Sequence, residues 1–280
     1  MNAEKVRVEE SSGPKAGARE RRANPSELSA INIPFAESGE RHLRIIAGAC
    51  RLNVRPGDGE AWVSGTYYDA LGSVPCRLTQ DGGTVTLSQE FNPSEMFGLF
   101  AGAPRFDLVL GKAKPYALTI EIGASDSYFD LGGLPLTRLT ISQGASHYAV
   151  NFSAPNPQSL ALLKFGAGAG GMEIKNLANA NFVELRVEGG AAAYQLDFGG
   201  SLRQDGRVRI ATGMSAVEIA VPASTAAKIS HETLMGGLEV GDGFMKKEGA
   251  FWTEAALAGK TPLLTIQSNV ALGSLRLRVT

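Results

Sequence analysis

The chain has 280 residues, 44% of them hydrophobic and 20% charged, so it can bury a core and does not have the composition of a disordered protein. Its 27 basic and 28 acidic side chains nearly cancel, which excludes the broad positive surface that nonspecific nucleic-acid binding requires. Gly is abundant at 34 residues, whereas there are only 2 Cys and 3 His. These counts exclude a disulfide scaffold and a zinc-rich module.

The N-terminal region, residues 1–30, is predicted to be a flexible polar tail. It carries charges of both signs and few apolar side chains, so ordering it would cost backbone entropy with little burial to offset the cost. The chain shows neither the apolar run of a secretory signal nor that of a membrane-spanning helix. We therefore expect a soluble chain without a membrane span. The sequence does not determine the cellular compartment of the protein, because a tail of this composition could also be a linker that follows a removed anchor.

From about residue 31 the sequence changes to short runs of alternating apolar and polar residues, which are typical of strands. Residues 31–280 are predicted to form one all-β domain, with N-terminal strands and a hairpin within 40–110 and repeated coils over 116–280.

Two local features stand out in the N-terminal part. A hairpin is predicted at 76–89, because Asp81-Gly82-Gly83 tolerates the tight turn that joins two such strands. One short helical turn is expected at 94–102, where Pro93 and Pro104 prevent a longer helix.

Internal repetition is the strongest signal in the sequence. Five glycines, each between two alternating strands, follow one another at separations of 21, 22, 23 and 24 residues: Gly123, Gly144, Gly166, Gly189 and Gly213. A unit this short cannot bury its apolar face alone, so the units must stack. The sequence therefore predicts a single-stranded parallel β-helix, or β-solenoid. Its glycines are expected to form sharp corners with positive φ and with room for the coils on either side.

Aligning the strands after the corners predicts columns of side chains across the coils, since alternate residues of a strand share a face. Two interior columns are expected at Phe129, Val150, Met172, Leu196 and Val217, and at Leu131, Phe152, Ile174, Phe198 and Ile219. An outward acidic column is expected between them at Asp130, Asn151, Glu173, Asp197 and Glu218. The strands before the corners predict another outward column at Thr119, Thr140, Lys164, Arg186 and Arg209.

The same pattern of strand, corner and strand recurs at both ends of the repeats. It is visible at 41–64 and again at 263–280, so the stacked coils are expected to span nearly the whole chain. Residues 245–256, with two adjacent aromatic side chains, are predicted to form an irregular cap on the terminal coils.

These residues resemble the bacterial toast-rack family, known under the label DUF2154. The resemblance covers about residues 40–280 and is most specific in FDLGGLPLTRLTI (129–141), the Pro155-Asn156 pair, LANA (177–180) and LDFGG (196–200). Family members usually carry Gly-Ala-Gly where this chain has Ser125, Ser146 and Ala192 in place of the second glycine.

The family is related to the C-terminal region of LiaF-like regulators of cell-envelope stress and to adhesin-type β-helix domains. The resemblance implies a stacked-strand fold, right-handed winding, and a binding or sensing role near the cell envelope. It implies no established reaction and no catalytic residues.

Two sets of side chains are candidates for a site. The first set is four carboxylates, Asp130, Glu173, Asp197 and Glu218. They could cleave polysaccharides, as the carboxylates of β-helix enzymes do. However, they occur one per coil, which is also the spacing expected of an ordinary solvent-exposed strand face. The tyrosines Tyr128, Tyr148 and Tyr194 follow successive corners and could form an aromatic strip for sugars or a partner, although such ladders more often pack on neighbouring strands.

Other chemistry finds little support. His42, His147 and His231 lie far apart and outside any metal-ligand spacing, so no metal and no cofactor is predicted. Cys50 and Cys76 are expected to be two isolated buried thiols, although strand neighbours could pair. The glycine-rich run at 166–171 lacks the following helix of a phosphate-binding loop.

Three hypotheses follow for the function. The first is a non-catalytic binding or scaffold module with an unknown protein or envelope partner. The second is a carbohydrate-active enzyme that uses the acidic face. The third is self-assembly, in which an uncovered terminal coil pairs head-to-tail with another copy.

Overall fold

The structure, a computed structural model, describes residues 28–70, 74–89 and 103–280. Residues 1–27 of the predicted tail and the helical turn predicted at 94–102 lie outside the described residues.

The described residues form one 15-stranded sheet. Helical structure in the same residues is a 3-10 turn at Leu177–Ala180 and a single α-helical turn, α1, at Glu254–Leu257. The strands are β1 (Ser29–Pro34), β2 (His42–Gly57), β3 (Ala61–Tyr68), β4 (Cys76–Asp81), β5 (Thr84–Gln89), β6 (Arg105–Gly111), β7 (Tyr116–Asp130), β8 (Leu136–Asn151), β9 (Leu160–Lys175), β10 (Phe182–Asp197), β11 (Gly206–Val221), β12 (Ala226–Val240), β13 (Phe244–Lys247), β14 (Ala250–Thr253) and β15 (Leu263–Val279).

The long strands stack in parallel as the coils of a β-solenoid, which confirms the predicted fold class. The order across the sheet is β2-β7-β8-β9-β10-β11-β15-β12, and each long neighbour pairs in parallel with the next. The C-terminal strand β15 is inserted between β11 and β12, so the order of the coils departs from chain order at this end. The last full coil of the stack is therefore β12.

The two ends of the stack are built differently. At one end β6 and β5 pair with different parts of β2, and β3 and β1 continue the sheet as antiparallel strands. The hairpin predicted at 76–89 is confirmed as antiparallel β4 and β5. At the other end the hairpin of β13 and β14 pairs with β12 only at Lys228 and Ile229, within the region predicted as a cap.

Each long strand is bent rather than interrupted at its corner. The sequence predicts two short strands per coil, whereas each coil contains one strand of 15–17 residues that continues through the bend. We call the part before the bend the first arm and the part after it the second arm. The core lies between the two arms and the turns that return the chain to the next coil. Leu163 of a first arm and Ile174 of the same strand's second arm are both fully buried in it.

The corner positions require a correction. Strand register places Gly123 and Gly144 beside Gly168, Gly190 and Gly213, whereas Gly166 and Gly189 lie within first arms. The corner sequences are thus Gly-Ala-Ser in β7 and β8, Gly-Ala-Gly in β9, Gly-Ala-Ala in β10 and Gly-Met-Ser in β11.

The reason for glycine at the corners is close approach of the coils, and the predicted positive φ is wrong. None of the glycines that begin these corners has a positive φ, whereas Gly170, the third residue of the β9 corner, does. A Cβ added at Gly123 would lie 2.5 Å from the carbonyl oxygen of Gly48, and one at Gly144 would lie 2.4 Å from that of Gly123. The glycines at the first four of these corners therefore leave space for the carbonyl of the preceding coil, as a side chain could not. At Gly213 the corresponding distance is 3.5 Å, which is an ordinary contact.

The predicted interior columns of the second arms contain residues that do face the interior, but their alignment between coils is wrong. Phe129 and Val150 lie beside Ile174, Leu196 and Ile219, whereas Met172 and Val217 belong to a column with Tyr148 and Tyr194. The error is two residues, and a shift of two keeps each side chain on the interior face. The outward first-arm column is confirmed as Thr119, Thr140, Lys164, Arg186 and Arg209.

Asparagines tie the return turns of adjacent coils together. Asn156, which is 1% exposed, donates its side-chain amide to the carbonyls of Leu136 and Ala180, at 2.8 and 3.3 Å. Asn179 donates to the Phe152 carbonyl at 2.9 Å. These bonds satisfy carbonyls that the strands leave unpaired. They give a structural role to the Pro-Asn and LANA motifs.

Candidate functional site

The predicted acidic column is wrong, because its members belong to two different ladders. Asp130 lies beside Asn151, and Asn151 lies beside Lys175. Glu173 belongs to the neighbouring outward ladder, two residues away, which continues through Gln195 to Glu218.

Within the described residues, each of the four carboxylates has a partner in the chain. Asp130 accepts hydrogen bonds from the amide of Gly132 and the hydroxyl of Ser153, and Asp197 accepts one from the amide of Gly199 at 2.9 Å. Glu173 forms an ion pair with Lys175 at 2.8 Å, and Glu218 forms one with Arg278. The two aspartates therefore stabilise turns at the ends of second arms, as aspartate commonly does.

The tyrosines do not form a strip. Tyr128 faces outward and is 49% exposed, whereas Tyr148 and Tyr194 face the core and are 3% and 1% exposed. The register places Ser127, not Tyr128, beside Tyr148, and Met172 separates the two buried tyrosines. Burial raises the pKa of both buried phenols above the ordinary value. The hydroxyl of Tyr194 donates to the carbonyl of Ala167 at 3.2 Å.

The outer face of the second arms carries a groove of about 650 Å³. We call it the second-arm groove. It crosses β2, β7, β8, β9 and β10. Its floor is formed by small residues of two adjacent ladders, Gly171 and Ala193 in one and Ala149 in the other. Around this floor stand Arg51, Asn53, Asp126, Tyr128, His147, Glu173 and Gln195. Sequence reasoning had identified only Tyr128 and Glu173 of these outward side chains.

Four polar side chains of the second-arm groove are unengaged by the rest of the described chain. Arg51, Asp126, His147 and Gln195 are exposed. Their side chains form no hydrogen bond or ion pair with residues in 28–70, 74–89 or 103–280. Arg51, Asp126 and His147 occupy neighbouring positions of one ladder. The groove therefore offers a guanidinium, a carboxylate, an imidazole and an amide beside one exposed aromatic ring.

A smaller pocket of about 290 Å³ lies further along the same face. Glu173, Asp197 and Glu218 line it together with Lys175 and Arg278. Three of the predicted acidic residues are thus brought to one pocket despite the wrong column. Two of them are already in ion pairs with these basic residues, and the third holds a backbone turn.

The histidines and cysteines lie apart from the second-arm groove, except for His147. The His42 imidazole lies 2.8 Å from the Thr119 hydroxyl. Its pKa is lowered from the ordinary value, and burial is the largest cause. Neither Cys50 nor Cys76 is in a disulfide, and burial raises the pKa of each thiol to about 12. Across the described parts of the chain, no group of three or more His, Cys, Asp or Glu side chains could hold a metal ion.

No helix among the described residues has the length and apolarity needed to cross a membrane.

Comparison of the chain with solved structures supports the fold. A crystal structure from Clostridium sporogenes ATCC 15579, provisionally described as a cell adhesion protein, matches with a TM-score of 0.50 and 14% identity, covering 91% of this chain and 100% of that one. A structure from Bacteroides fragilis NCTC 9343, provisionally described as an adhesin, has a TM-score of 0.41 and 7% identity, with 90% and 96% of the two chains covered. At these identities the first likeness shows the fold alone.

No curated protein matches the chain. A family model described as the N-terminal domain of toast_rack, DUF2154, matches residues 22–175. The match covers more than half of the chain, and it includes the stacked coils from β2 to β9. The protein is therefore a β-solenoid that belongs to the toast-rack family.

Proposed function

We propose that the protein is a non-catalytic recognition module of the cell envelope whose second-arm groove binds a polar polymer, specifically a segment of glycan. The observation that carries the proposal is the combination of a small-residue floor, the exposed ring of Tyr128 and a surround of unengaged polar side chains. An aromatic ring packs on the apolar face of a sugar ring. Carboxylate, amide and guanidinium groups hydrogen-bond its hydroxyls.

The shape of the groove supports an extended ligand. Neighbouring strands lie about 4.8 Å apart, so a groove that crosses five strands is longer than one sugar ring. The floor stays open because Ala149, Gly171 and Ala193 carry no long side chain. At Gly171 even a Cβ would lie 2.9 Å from the ring of His147.

Filling the floor of the groove, or removing its aromatic ring, is expected to weaken glycan binding. Ala193→Arg places a long side chain across the floor, and Tyr128→Ala removes the aromatic ring. We expect each to lower affinity at least tenfold for any oligosaccharide bound by the unaltered chain in a glycan-array screen followed by calorimetric titration. The matched control is Ala211→Arg, which adds the same side chain at an exposed alanine on the outer face of a first arm. Equal binding by Ala193→Arg and Ala211→Arg would rule out the groove.

The alternative function is carbohydrate cleavage by the acidic face, which the clustering of Glu173, Asp197 and Glu218 at one pocket favours. General acid and base chemistry requires carboxylates that are free to exchange protons with the substrate. Glu173 and Glu218 are in ion pairs and Asp197 accepts a backbone hydrogen bond, so their partners favour a structural role instead.

Asp197→Ala separates the two readings. As a turn-forming residue, Asp197 accepts the Gly199 amide at 2.9 Å. We expect its removal to lower the free energy of unfolding by about 1–2 kcal/mol. Urea unfolding measures this loss, and release of reducing ends from polysaccharides measures cleavage. A variant of unchanged stability that loses a cleavage activity present in the unaltered chain would support the enzyme and overturn the proposal.

A further inference from the structure

The last coil of the stack leaves a long strand edge uncovered. β12 pairs with β15 on one side over Ala226–Val240, but on the other side β14 covers only Lys228 and Ile229. Residues 230–239 therefore present backbone amides and carbonyls at a free edge in the described structure. Such an edge is a template for pairing with another strand.

Apolar side chains are concentrated at the bend of this free edge. Leu234 is 88% exposed and Met235 is 73% exposed. Met235 lies beside Leu272 of β15, which lies beside Met214 of β11, and these two are 41% and 65% exposed. The corresponding position is alanine in β7, β8, β9 and β10. The outer ridge of the corner thus carries large exposed apolar side chains in the coils at this end and small alanines in β7–β10, and a large exposed apolar patch is typical of an interaction surface.

The free edge is symmetric about its own corner. Thr233 lies beside the buried Val270. Gly236 lies beside Gly273, which in turn lies beside the buried Ser215, so residues 233 and 236 both belong to the inner face. The corner lies between Leu234 and Met235. Five free residues precede it and five follow it, within 230–239.

If a two-fold axis passes through the corner and relates two copies of β12, the first arm of each copy lies beside the second arm of the other copy. Inner faces would then meet inner faces, and the strands would be antiparallel. In this register Leu234 lies opposite Met235 of the second copy, and Ser230 lies opposite Glu239 of the second copy. Glu232 lies opposite a glycine, Gly237, so no two like charges are directly opposed. The register ends where β14 begins to cover the edge.

A bent strand needs a partner with the same bend. The other strands with an unpaired edge in the described residues, β1, β4 and β13, have only six, six and four residues. The opposite end of the stack is closed by short antiparallel strands, so the predicted head-to-tail pairing would lack a matching edge. Another copy of β12 supplies both the bend and the apolar ridge.

We propose that two copies of the chain associate head-to-head through antiparallel pairing of residues 230–239 of β12, with Leu234 and Met235 of both copies at the centre. This partner goes beyond the glycan proposed for the second-arm groove and uses a different surface. The association continues the sheet from one solenoid into the next, and an isologous interface of this kind closes at two copies.

A single charge at the centre of the interface is expected to separate the dimer. Leu234→Lys places an ammonium in the apolar cluster twice per dimer, and its side chain is too exposed to disturb the fold of one copy. We expect the dissociation constant to rise about 100-fold, measured by sedimentation equilibrium of the full chain over a wide concentration range. The matched control is Ala191→Lys, at the exposed corner alanine of β10, three coils from the free edge and outside the apolar ridge, which is expected to leave the dissociation constant unchanged. A monomer at every concentration, or equal effects of the two variants, overturns the proposal.

Cysteine cross-linking tests the register. In the proposed pairing Ser230 and Glu239 of the second copy are directly opposite, within the Cα separation that a disulfide needs. The double variant Ser230→Cys, Glu239→Cys is expected to give a covalent dimer on mild oxidation. Each single variant and the unaltered chain, whose Cys50 and Cys76 are free thiols, are expected to stay uncross-linked.

The outcomes are distinguishable from those of the glycan experiment. A dimer without the cross-link in the double variant overturns the edge pairing. Glycan binding by Leu234→Lys should remain unchanged, because the second-arm groove is formed by β2 and β7–β10. Failure of the glycan screen would therefore leave the dimer experiment unaffected.

Discussion

Gly144→Ala is expected to lower the free energy of unfolding by about 2–4 kcal/mol. The added Cβ would lie 2.4 Å from the carbonyl oxygen of Gly123 in the coil below. A backbone oxygen cannot move aside as a flexible side chain can, so the two coils must separate at the corner. Strand pairing on both sides of the corner would then be strained. Urea unfolding measures the loss, and we expect the melting temperature to fall by about 5–10 °C.

The matched control is Gly166→Ala, at the glycine that the sequence had wrongly placed at a corner. A Cβ there would lie 3.5 Å from the nearest atom, the Ser142 hydroxyl oxygen, which is an ordinary contact. Since alanine also restricts the unfolded chain, this variant is expected to be neutral or about 0.5 kcal/mol more stable. If both substitutions cost the same, the spacing between coils does not explain the corner glycines.

The β-solenoid and its first arms could be predicted from the sequence because apolar and polar residues mostly alternate before each corner. In the second arm of β9 the alignment is wrong because Gly166 is not the corner, so Met172 stands where Ile174 belongs. In β11 it is wrong although Gly213 is the corner, because Val217 stands where Ile219 belongs. From the true corner, each coil has an interior residue five positions before the glycine and another six positions after it. Leu163 and Ile174 have this relation to Gly168, and Leu185 and Leu196 have it to Gly190. The variation in repeat length lies entirely in the return turns.

The dipeptide Gly-Ala begins at Gly168 and at Gly190 as it does at Gly123 and Gly144, but it also begins at Gly166. In β9 the corner is therefore distinguished from Gly166 only by the spacing of the interior residues on both sides. With that alignment, the small residues Ala149, Gly171 and Ala193 would have been seen on neighbouring ladders. The insertion of β15 between β11 and β12 had no such signal. Two coils of similar pattern can exchange places without changing any local preference, so only packing across the whole stack decides their order.

Loss of the buried asparagine in a return turn is the second large effect. Asn156→Ala is expected to lower the free energy of unfolding by about 3–4 kcal/mol. It removes the donor to the carbonyls of Leu136 and Ala180, at 2.8 and 3.3 Å, and the acceptor of the Gln158 amide at 2.9 Å. Asn156 is 1% exposed, so water cannot readily replace these bonds. Urea unfolding measures the loss.

Gln204→Ala is the matched control, because the Gln204 amide also joins adjacent turns. It donates to the Asn181 carbonyl at 2.8 Å and the Ser159 hydroxyl at 3.0 Å. Gln204 is only half-buried, so water can take over, and the expected loss is below about 1 kcal/mol. A loss as large as that of Asn156→Ala would show that burial does not decide the cost.

The variant Asn156→Asp distinguishes the effect of losing the hydrogen-bond donor from the effect of losing side-chain volume, which Asn156→Ala combines. It keeps the shape and the acceptor, but it turns a carboxylate toward the carbonyls of Leu136 and Ala180. Burial beside two carbonyl oxygens raises the pKa of a carboxyl above its unfolded value. The destabilisation is therefore fully present above the folded pKa and diminishes as the pH falls toward the unfolded pKa, where the protonated group can donate again. We expect unfolding in urea to show this recovery in Asn156→Asp and not in Asn156→Ala, since only the former regains a donor.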